Sequence, residues 1–214
     1  MTQILAAPPR AVRPEDAGPT ARVAKPAWRR AMRDAVRDPA ELCRLLGLPD
    51  ELAERAAAAT HDFPLLVPRG YVERMNKGDA DDPLLRQVLP LEAEMVDAAG
   101  FVADPVGDAD AERSPGLLHK YRGRVLLVTT GSCAVHCRYC FRRHYPYGEA
   151  TRGDAWSEAL EQIAADPSIH EVILSGGDPL MLGDSALAGL VGQIESIPHV
   201  RRLRVHTRLP IMIP

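Results

Sequence analysis

The run RVLLVTT (124–130) is a short series of aliphatic and β-branched residues, a pattern typical of a strand buried on both faces of a parallel sheet. EVILSGG (171–177) and LRVHTR (203–208) have the same character. Two stretches with apolar residues at helical spacing lie between these three runs, and Asp184 or Ser185 is the expected N-cap of the second. The alternation predicts right-handed parallel βαβ units, as in an open doubly wound sheet or a (β/α) barrel.

The residues before the first strand favour helices. Residues 1–26 contain five prolines among Ala, Arg and Gly and predict a flexible arm. From 28 to 61 the apolar spacing is helical but interrupted at Pro39 and Pro49, which predicts three short helices, and further helical turns are expected at 71–76 and 83–88. The predicted organisation is an arm at 1–26, a helical cap at 27–110 and an α/β unit at 111–214.

Composition excludes several classes of protein. The 214 residues are 46% hydrophobic and 26% charged, as in soluble globular domains, and no apolar run approaches the roughly 20 residues that span a bilayer. The formal net charge of −3 gives no overall attraction to nucleic acid or to anionic membranes. Because no export signal is evident, we expect a cytoplasmic protein whose four cysteines do not form disulfides.

Three of those cysteines follow the first strand, in GSCAVHCRYCFRRHYPY (131–147). The carboxyl ends of parallel strands are where α/β folds place their active sites. Cys133, Cys137 and Cys140 form a C-x3-C-x2-C motif, and closely spaced cysteines of this kind hold iron–sulfur clusters. Three ligands would leave one iron of a four-iron cube open to a substrate or cofactor. Cys43 stands alone, and we interpret it as a buried core residue.

Other interpretations of this loop and its charge stay open. His136 or His144 could complete a structural zinc site, although no second cysteine pair is present. Simple burial of the thiols fits poorly with the flanking arginines 138, 142 and 143. Residues 113–148 hold seven Lys or Arg and no Asp or Glu, which predicts an anion site or, alternatively, a solvated or nucleic-acid-binding face.

The wider sequence resembles a known family. PGLLHKYRGRVLLVTTGSCAVHCRYCFRRHYPY (115–147), SGGDPLM (175–181) and IPHVRRLRVHTRLPIMIP (197–214) are similar to the radical S-adenosylmethionine (SAM) lysine 2,3-aminomutase family, and closest to its bacterial branch that makes β-lysine for elongation factor P. The resemblance runs from about residue 63 to 214. It implies a helical cap followed by the first three β/α units of a partial (β/α) barrel.

The resemblance also implies three cofactors and a set of site residues. Cys133, Cys137 and Cys140 would ligate a [4Fe-4S] cluster whose open iron binds SAM, and the radical formed from SAM would act on lysine held by pyridoxal phosphate (PLP). Arg142 matches the arginine that pairs with the lysine carboxylate. The implied cofactor residues are Tyr121 and Arg124 near PLP, and Ser175, Gly176, Gly177 and Asp178 near SAM, with His206, Thr207 and Arg208 as further candidates.

The implied reaction converts (S)-α-lysine to (R)-β-lysine for modification of elongation factor P. A reductant such as flavodoxin or ferredoxin and the lysyl-transferring enzyme of that pathway are the implied partners, with no membrane and no direct nucleic acid. A catabolic lysine 2,3-aminomutase, a nucleic-acid-modifying radical SAM enzyme and a zinc-stabilised RNA-binding module are the alternatives.

The number of predicted strands and the positions of the lysines predict that the chain is a part of a longer protein. Lys25, Lys77 and Lys120 do not match the family's Schiff-base lysine. Three strands cannot close a barrel, which usually has about eight. We therefore expect a C-terminally truncated chain that keeps the cluster loop but lacks covalent PLP binding and turnover.

Overall fold

A computed structural model describes residues 27–61, 63–151 and 155–214 of the chain, and the predicted arm at 1–26 lies outside these ranges. The three predicted N-terminal helices are confirmed. Pro39 is the first residue of its helix and Pro49 directly precedes the next, positions where the missing N–H of proline costs no helical hydrogen bond. These helices are α1 (Ala27–Arg33), α2 (Pro39–Leu46) and α3 (Asp50–Ala58).

Short turns connect these helices to the sheet. The expected turns at 71–76 and 83–88 overlap two of them, and further turns with local hydrogen bonds lie between the two. The turns are α4 (Arg69–Val72), two 3-10 helices at Leu85–Gln87 and Glu92–Met95, and α5 (Asp108–Ala111).

A five-stranded sheet follows, with the strands in sequential order. The three predicted strands are confirmed, and they run parallel to one another. Two further strands, which the sequence did not lead us to expect, add an antiparallel hairpin at one edge. The strands are β1 (Glu112–Ser114), β2 (Leu117–Tyr121), β3 (Arg124–Thr130), β4 (Glu171–Gly176) and β5 (Arg202–Val205).

Two long helices pack on one face of the sheet. Leu127 and Leu174 of the sheet meet Ile163 and Ile194 of these helices, and all four side chains are buried. The N-cap of the second helix is Gly183 rather than Asp184 or Ser185, because the Gly183 carbonyl accepts the first intrahelical bond, from Leu187. The helices after β3 are α6 (Tyr147–Ala150), α7 (Ala155–Ala165), α8 (Asp184–Glu195) and α9 (Leu209–Met212), with a 3-10 turn at Pro179–Met181.

The cap has its own apolar core, which extends into the rest of the chain. Cys43 lies within it and is only 1% exposed, which confirms its interpretation as a core residue. Ala134 of the cysteine loop and Met212 of α9 belong to the same core, so residues on both sides of position 110 are packed together. Among the described residues, no helix combines the length and apolar character needed to cross a membrane.

Asp178 connects the ends of β4 and β5. Its buried carboxylate accepts hydrogen bonds from the Thr207 hydroxyl (2.6 Å) and from the backbone amides of Leu180, Arg208 and Leu209 (2.8–3.0 Å). The predicted strand 203–208 therefore ends early, at Val205, because its last residues turn toward this carboxylate.

Replacing Asp178 by Asn should destabilise the fold. An amide places an NH2 group where the carboxylate accepts from backbone N–H donors, so at least one charge-assisted bond is lost, at a cost of about 1.5–3 kcal/mol. Urea unfolding would measure the change. Asp184→Asn, at an exposed position on α8, is the matched control and should stay within about 0.5 kcal/mol of the wild type. Equal unfolding midpoints for the two variants would contradict the assignment.

Candidate functional site

The three loop cysteines lie half-buried after β3. Burial and the neighbouring Cys140, Asp178 and Cys137 raise the pKa of Cys133 to about 12. Burial also raises the pKa of Cys137, against the opposing effect of Arg208. Thiolates placed this close together require a positive centre, which is what a metal cluster supplies when it displaces the thiol protons.

Three cysteines on one loop are the donor type that iron–sulfur clusters use. Within the described part of the chain, no three His, Cys, Asp or Glu side chains are grouped so that they could hold a single metal ion. A four-iron cube differs from such a site because each thiolate binds a different iron.

The helical cap anchors the cysteine loop through one carboxylate. Glu94 accepts hydrogen bonds from Arg138 (2.9 Å from Nε to Oε1) and from Arg143 (2.8 Å from Nη1 to Oε2). Burial alone would raise the pKa of Glu94, but these two arginines outweigh it and the pKa is lowered. The Phe63 ring lies under both guanidinium groups, 4.9 Å from each.

His136, one candidate for a fourth zinc ligand, is also engaged with the cap. Its ring stacks on Phe63 with 5.0 Å between centroids, and its Nδ1 lies 2.8 Å from the carbonyl oxygen of Pro64. Burial lowers the pKa of His136, which favours the neutral ring in this packed position. The ring is thus part of the contact between loop and cap.

The turn after β4 packs directly against the cysteine loop. Gly177 donates to the Thr130 carbonyl and Asp178 donates to the Ser132 carbonyl, both at 2.7 Å. A Cβ at Gly177 would lie 2.3 Å from the Ser132 oxygen, so no larger residue fits there. Ser175 is buried, and its carbonyl accepts from the Thr129 hydroxyl at 3.1 Å. The structure therefore brings the predicted residues 175–178 beside the cysteines.

Of the three candidates after β5, Arg208 reaches the cysteine loop. Its Nη1 lies 3.3 Å from the sulfur of Cys137, and the guanidinium also contacts the Tyr139 hydroxyl. Thr207 is used by Asp178, and His206 is exposed. Arg208 is thus the one of these three side chains that touches a cysteine.

A cavity of about 230 Å³ lies beside the start of β3. Tyr121, Arg124 and Arg142, to which the family resemblance gives roles toward PLP and the lysine carboxylate, all line it. Tyr121 is 68% exposed and the Arg124 side chain is 43% exposed, whereas Arg142 is buried. These residues are spread over 22 positions of the sequence (121 to 142) and converge because β2 and β3 form a hairpin against the cysteine loop.

Asp108 is a residue of this cavity that the sequence did not indicate. Its buried carboxylate binds Nε of Arg142 at 2.6 Å through Oδ2 and lies 2.6 Å from Nζ of Lys120 through Oδ1. Arg142 in addition lies 4.7 Å above the Phe141 ring. The guanidinium is therefore held in place before any ligand is present.

The positive charge of the basic window at 113–148 is partly neutralised in the folded structure by carboxylates from other parts of the sequence. Glu94 contacts two of its cations, Asp108 another two, and Glu171 lies 3.5 Å from Arg124. Carboxylates from outside the window thus fold onto five of its seven cations, and the anion site stays a prediction. Each carboxylate is shared by at least two cations, so a smaller positive excess remains.

Comparisons with known proteins identify a matching domain and several relatives of this chain. Residues 122–202 match the model of a 4Fe-4S single cluster domain, which supports an iron–sulfur cluster on this segment. The chain is 52% identical over 192 residues to an L-lysine 2,3-aminomutase of Escherichia coli (strain K12), covering 87% of this chain and 55% of that protein. It is 47% identical over 188 residues to that of Haemophilus influenzae, covering 87% and 56%.

A more distant relative is the L-lysine 2,3-aminomutase of Clostridium subterminale, 30% identical over 189 residues, with 87% of this chain and 45% of that protein covered. The chain thus spans about half the length of the curated relatives it matches. On the cysteine motif, its neighbouring glycine turn and these similarities, the chain belongs to the radical SAM lysine 2,3-aminomutase family.

Proposed function

We propose that this chain is part of a PLP-dependent L-lysine 2,3-aminomutase that converts (S)-α-lysine to (R)-β-lysine for modification of elongation factor P. The observation that carries the proposal is the cavity in which Tyr121, Arg124 and Arg142 meet, next to the loop of three cysteines. Relatives named L-lysine 2,3-aminomutase support the reaction class.

In this proposal Cys133, Cys137 and Cys140 hold a [4Fe-4S] cluster. The cluster and SAM supply radical chemistry when bound, and PLP supplies the site on which the lysine amino group moves. The chain's part is to place the thiolates on a loop fixed by the cap. Residues 175–178 hold the amino group of SAM, and their contact with the cysteine loop at Ser132 supports this role.

Arg142 binds the carboxylate of lysine. Its Nε is already taken by Asp108, so the two terminal nitrogens are the ones that face a substrate carboxylate as a planar fork. Asp108 prevents the guanidinium from rotating, and burial strengthens each charge-assisted bond that it makes.

Tyr121 and Arg124 take the PLP side of the cavity. Arg124 lies at the start of β3, where Glu171 of the neighbouring strand restrains it, and it is the candidate for the cofactor phosphate. Tyr121 is exposed at the end of β2 and offers an aromatic face next to it.

The proposal extends to the fold, the cellular compartment and the reaction partners of the enzyme. The parallel order of β3, β4 and β5 fits the first three units of a partial (β/α) barrel, preceded by the cap at 27–110. The enzyme acts in the cytoplasm, receives electrons from a flavodoxin or ferredoxin, and delivers β-lysine to the enzyme that modifies elongation factor P.

The decisive experiment is amino-acid analysis. The protein as it occurs in its cell is incubated anaerobically with L-lysine, SAM, PLP and a reductant, and the products are resolved by chiral chromatography. We expect (R)-β-lysine. The proposal would be overturned if lysine were recovered unchanged and SAM were cleaved instead in a reaction with a nucleic acid.

Alanine at Cys133, Cys137 or Cys140 should abolish cluster retention. Two thiolates cannot hold a cube in which three irons each need a protein ligand. Iron and acid-labile sulfide per chain after anaerobic reconstitution are the measurements. Cys43→Ala, in the cap core, is the control and should bind iron as the wild type does. Similar iron loss in the folded Cys43 variant would contradict the ligand assignment.

Lysine in place of Arg142 should impair use of the substrate. A lysine ammonium keeps the charge but cannot present two parallel N–H donors, and the lost bond should lower kcat/KM for lysine about 10- to 100-fold. The assay uses the protein as it occurs in its cell, with the exposed Arg86→Lys as control. Normal lysine kinetics combined with reduced iron content would place Arg142 with the cluster instead.

A further inference from the structure

Tyr147 lies between the cysteine loop and the glycine turn. Its hydroxyl donates a hydrogen bond to the carbonyl oxygen of Gly176 at 3.1 Å. Its Cβ sits so close to Gly131 that a Cβ on that glycine would approach it to 2.8 Å. The tyrosine therefore spans from the start of the cysteine loop to the end of β4.

The backbone of Gly176 needs such a restraint. Its φ of +111° is open to glycine and strained for other residues, so no side chain of its own can fix the peptide plane. A Cβ there would lie 2.8 Å from Val128 and 2.9 Å from the Thr130 oxygen. With the amide of Gly177 bonded to Thr130, the Tyr147 hydroxyl is the side-chain donor that fixes where the Gly176 carbonyl points.

Tyr147 is itself firmly held. It is the first residue of α6, its amide donates to the Tyr145 carbonyl at 2.8 Å, and its own carbonyl accepts from both the amide and the hydroxyl of Thr151. Its ring meets that of Tyr145 edge to face at 5.1 Å. A half-buried ring fixed at both ends holds its hydroxyl in one place.

We propose that Tyr147 is a positioning residue for the amino group of SAM. The inference rests on the proposed function, in which residues 175–178 hold that amino group. A carbonyl oxygen has two lone pairs. The phenol of Tyr147 occupies one of them on Gly176, which leaves the other in a fixed direction for the ammonium group of the ligand.

The test compares two conservative variants. Tyr147→Phe removes the hydroxyl but keeps the ring. Tyr145→Phe is the matched control, because it removes a neighbouring phenol whose hydroxyl donates to Glu112 at 2.9 Å and does not touch the turn. Both variants are reconstituted anaerobically, and their iron content is compared with that of the wild type, which we expect them to match.

Binding of two ligands distinguishes a positioning role of Tyr147 from a general loosening of the turn after β4. SAM carries the amino group, whereas 5′-methylthioadenosine keeps the adenosine and sulfur but lacks the amino-acid portion. Tyr147→Phe should weaken SAM binding about 3- to 10-fold, the worth of one oriented hydrogen bond, and leave 5′-methylthioadenosine binding unchanged. Tyr145→Phe should change neither dissociation constant.

Three outcomes would overturn the inference. They are unchanged SAM binding by Tyr147→Phe, equal weakening of both ligands, and equal effects of the two variants. A wild-type protein that holds its cluster but does not bind SAM would overturn the proposed function together with the inference. If Tyr147→Phe does not retain its cluster, the test is hydrogen exchange of the Gly177 amide in the ligand-free protein. We expect this amide to exchange faster in Tyr147→Phe than in Tyr145→Phe. Equal exchange rates in the two variants would overturn the inference.

Discussion

The site depends on one close contact between two backbones. The turn after β4 donates two hydrogen bonds, one to Thr130 at the end of β3 and one to Ser132 in the loop that follows, and the gap between the two backbones has no room for a side chain at Gly177. Parallel pairing of β3 and β4 brings both loops to one edge of the sheet, and the glycine allows them to touch. The cysteines and the turn therefore form one surface instead of two independent loops.

Charge organises the rest of the site around that contact. Glu94 connects the cap to the cysteine loop, and Asp178 connects the turn to the segment after β5. Both carboxylates are largely buried, where an unpaired charge would be costly, so their partners are held strongly. The cap consequently acts as a support for the cysteine loop, in keeping with the apolar core that the two share.

The sequence predicted those features that depend on local patterns. Periodicity located β3, β4 and the three cap helices, and Cys spacing located the loop. The β1–β2 hairpin was missed, although Pro115–Gly116 between its two strands is a turn signal. Asp108, Glu94 and Tyr147 could not be found in this way, because their roles arise from partners about 30 or more residues away and nothing in their local sequence marks them.

The charge that remains after this pairing fits the ligands of the proposed function. Asp108 faces two cations, Arg142 and Lys120, which leaves one positive charge for a single carboxylate. Glu171, fully buried, faces Arg124 and two arginines of β5, and of these residues Arg124 is the one that lines the cavity. Under the proposed function, the cavity would thus offer Arg142 to a carboxylate and Arg124 to a phosphate, two cations that are each restrained by a buried carboxylate.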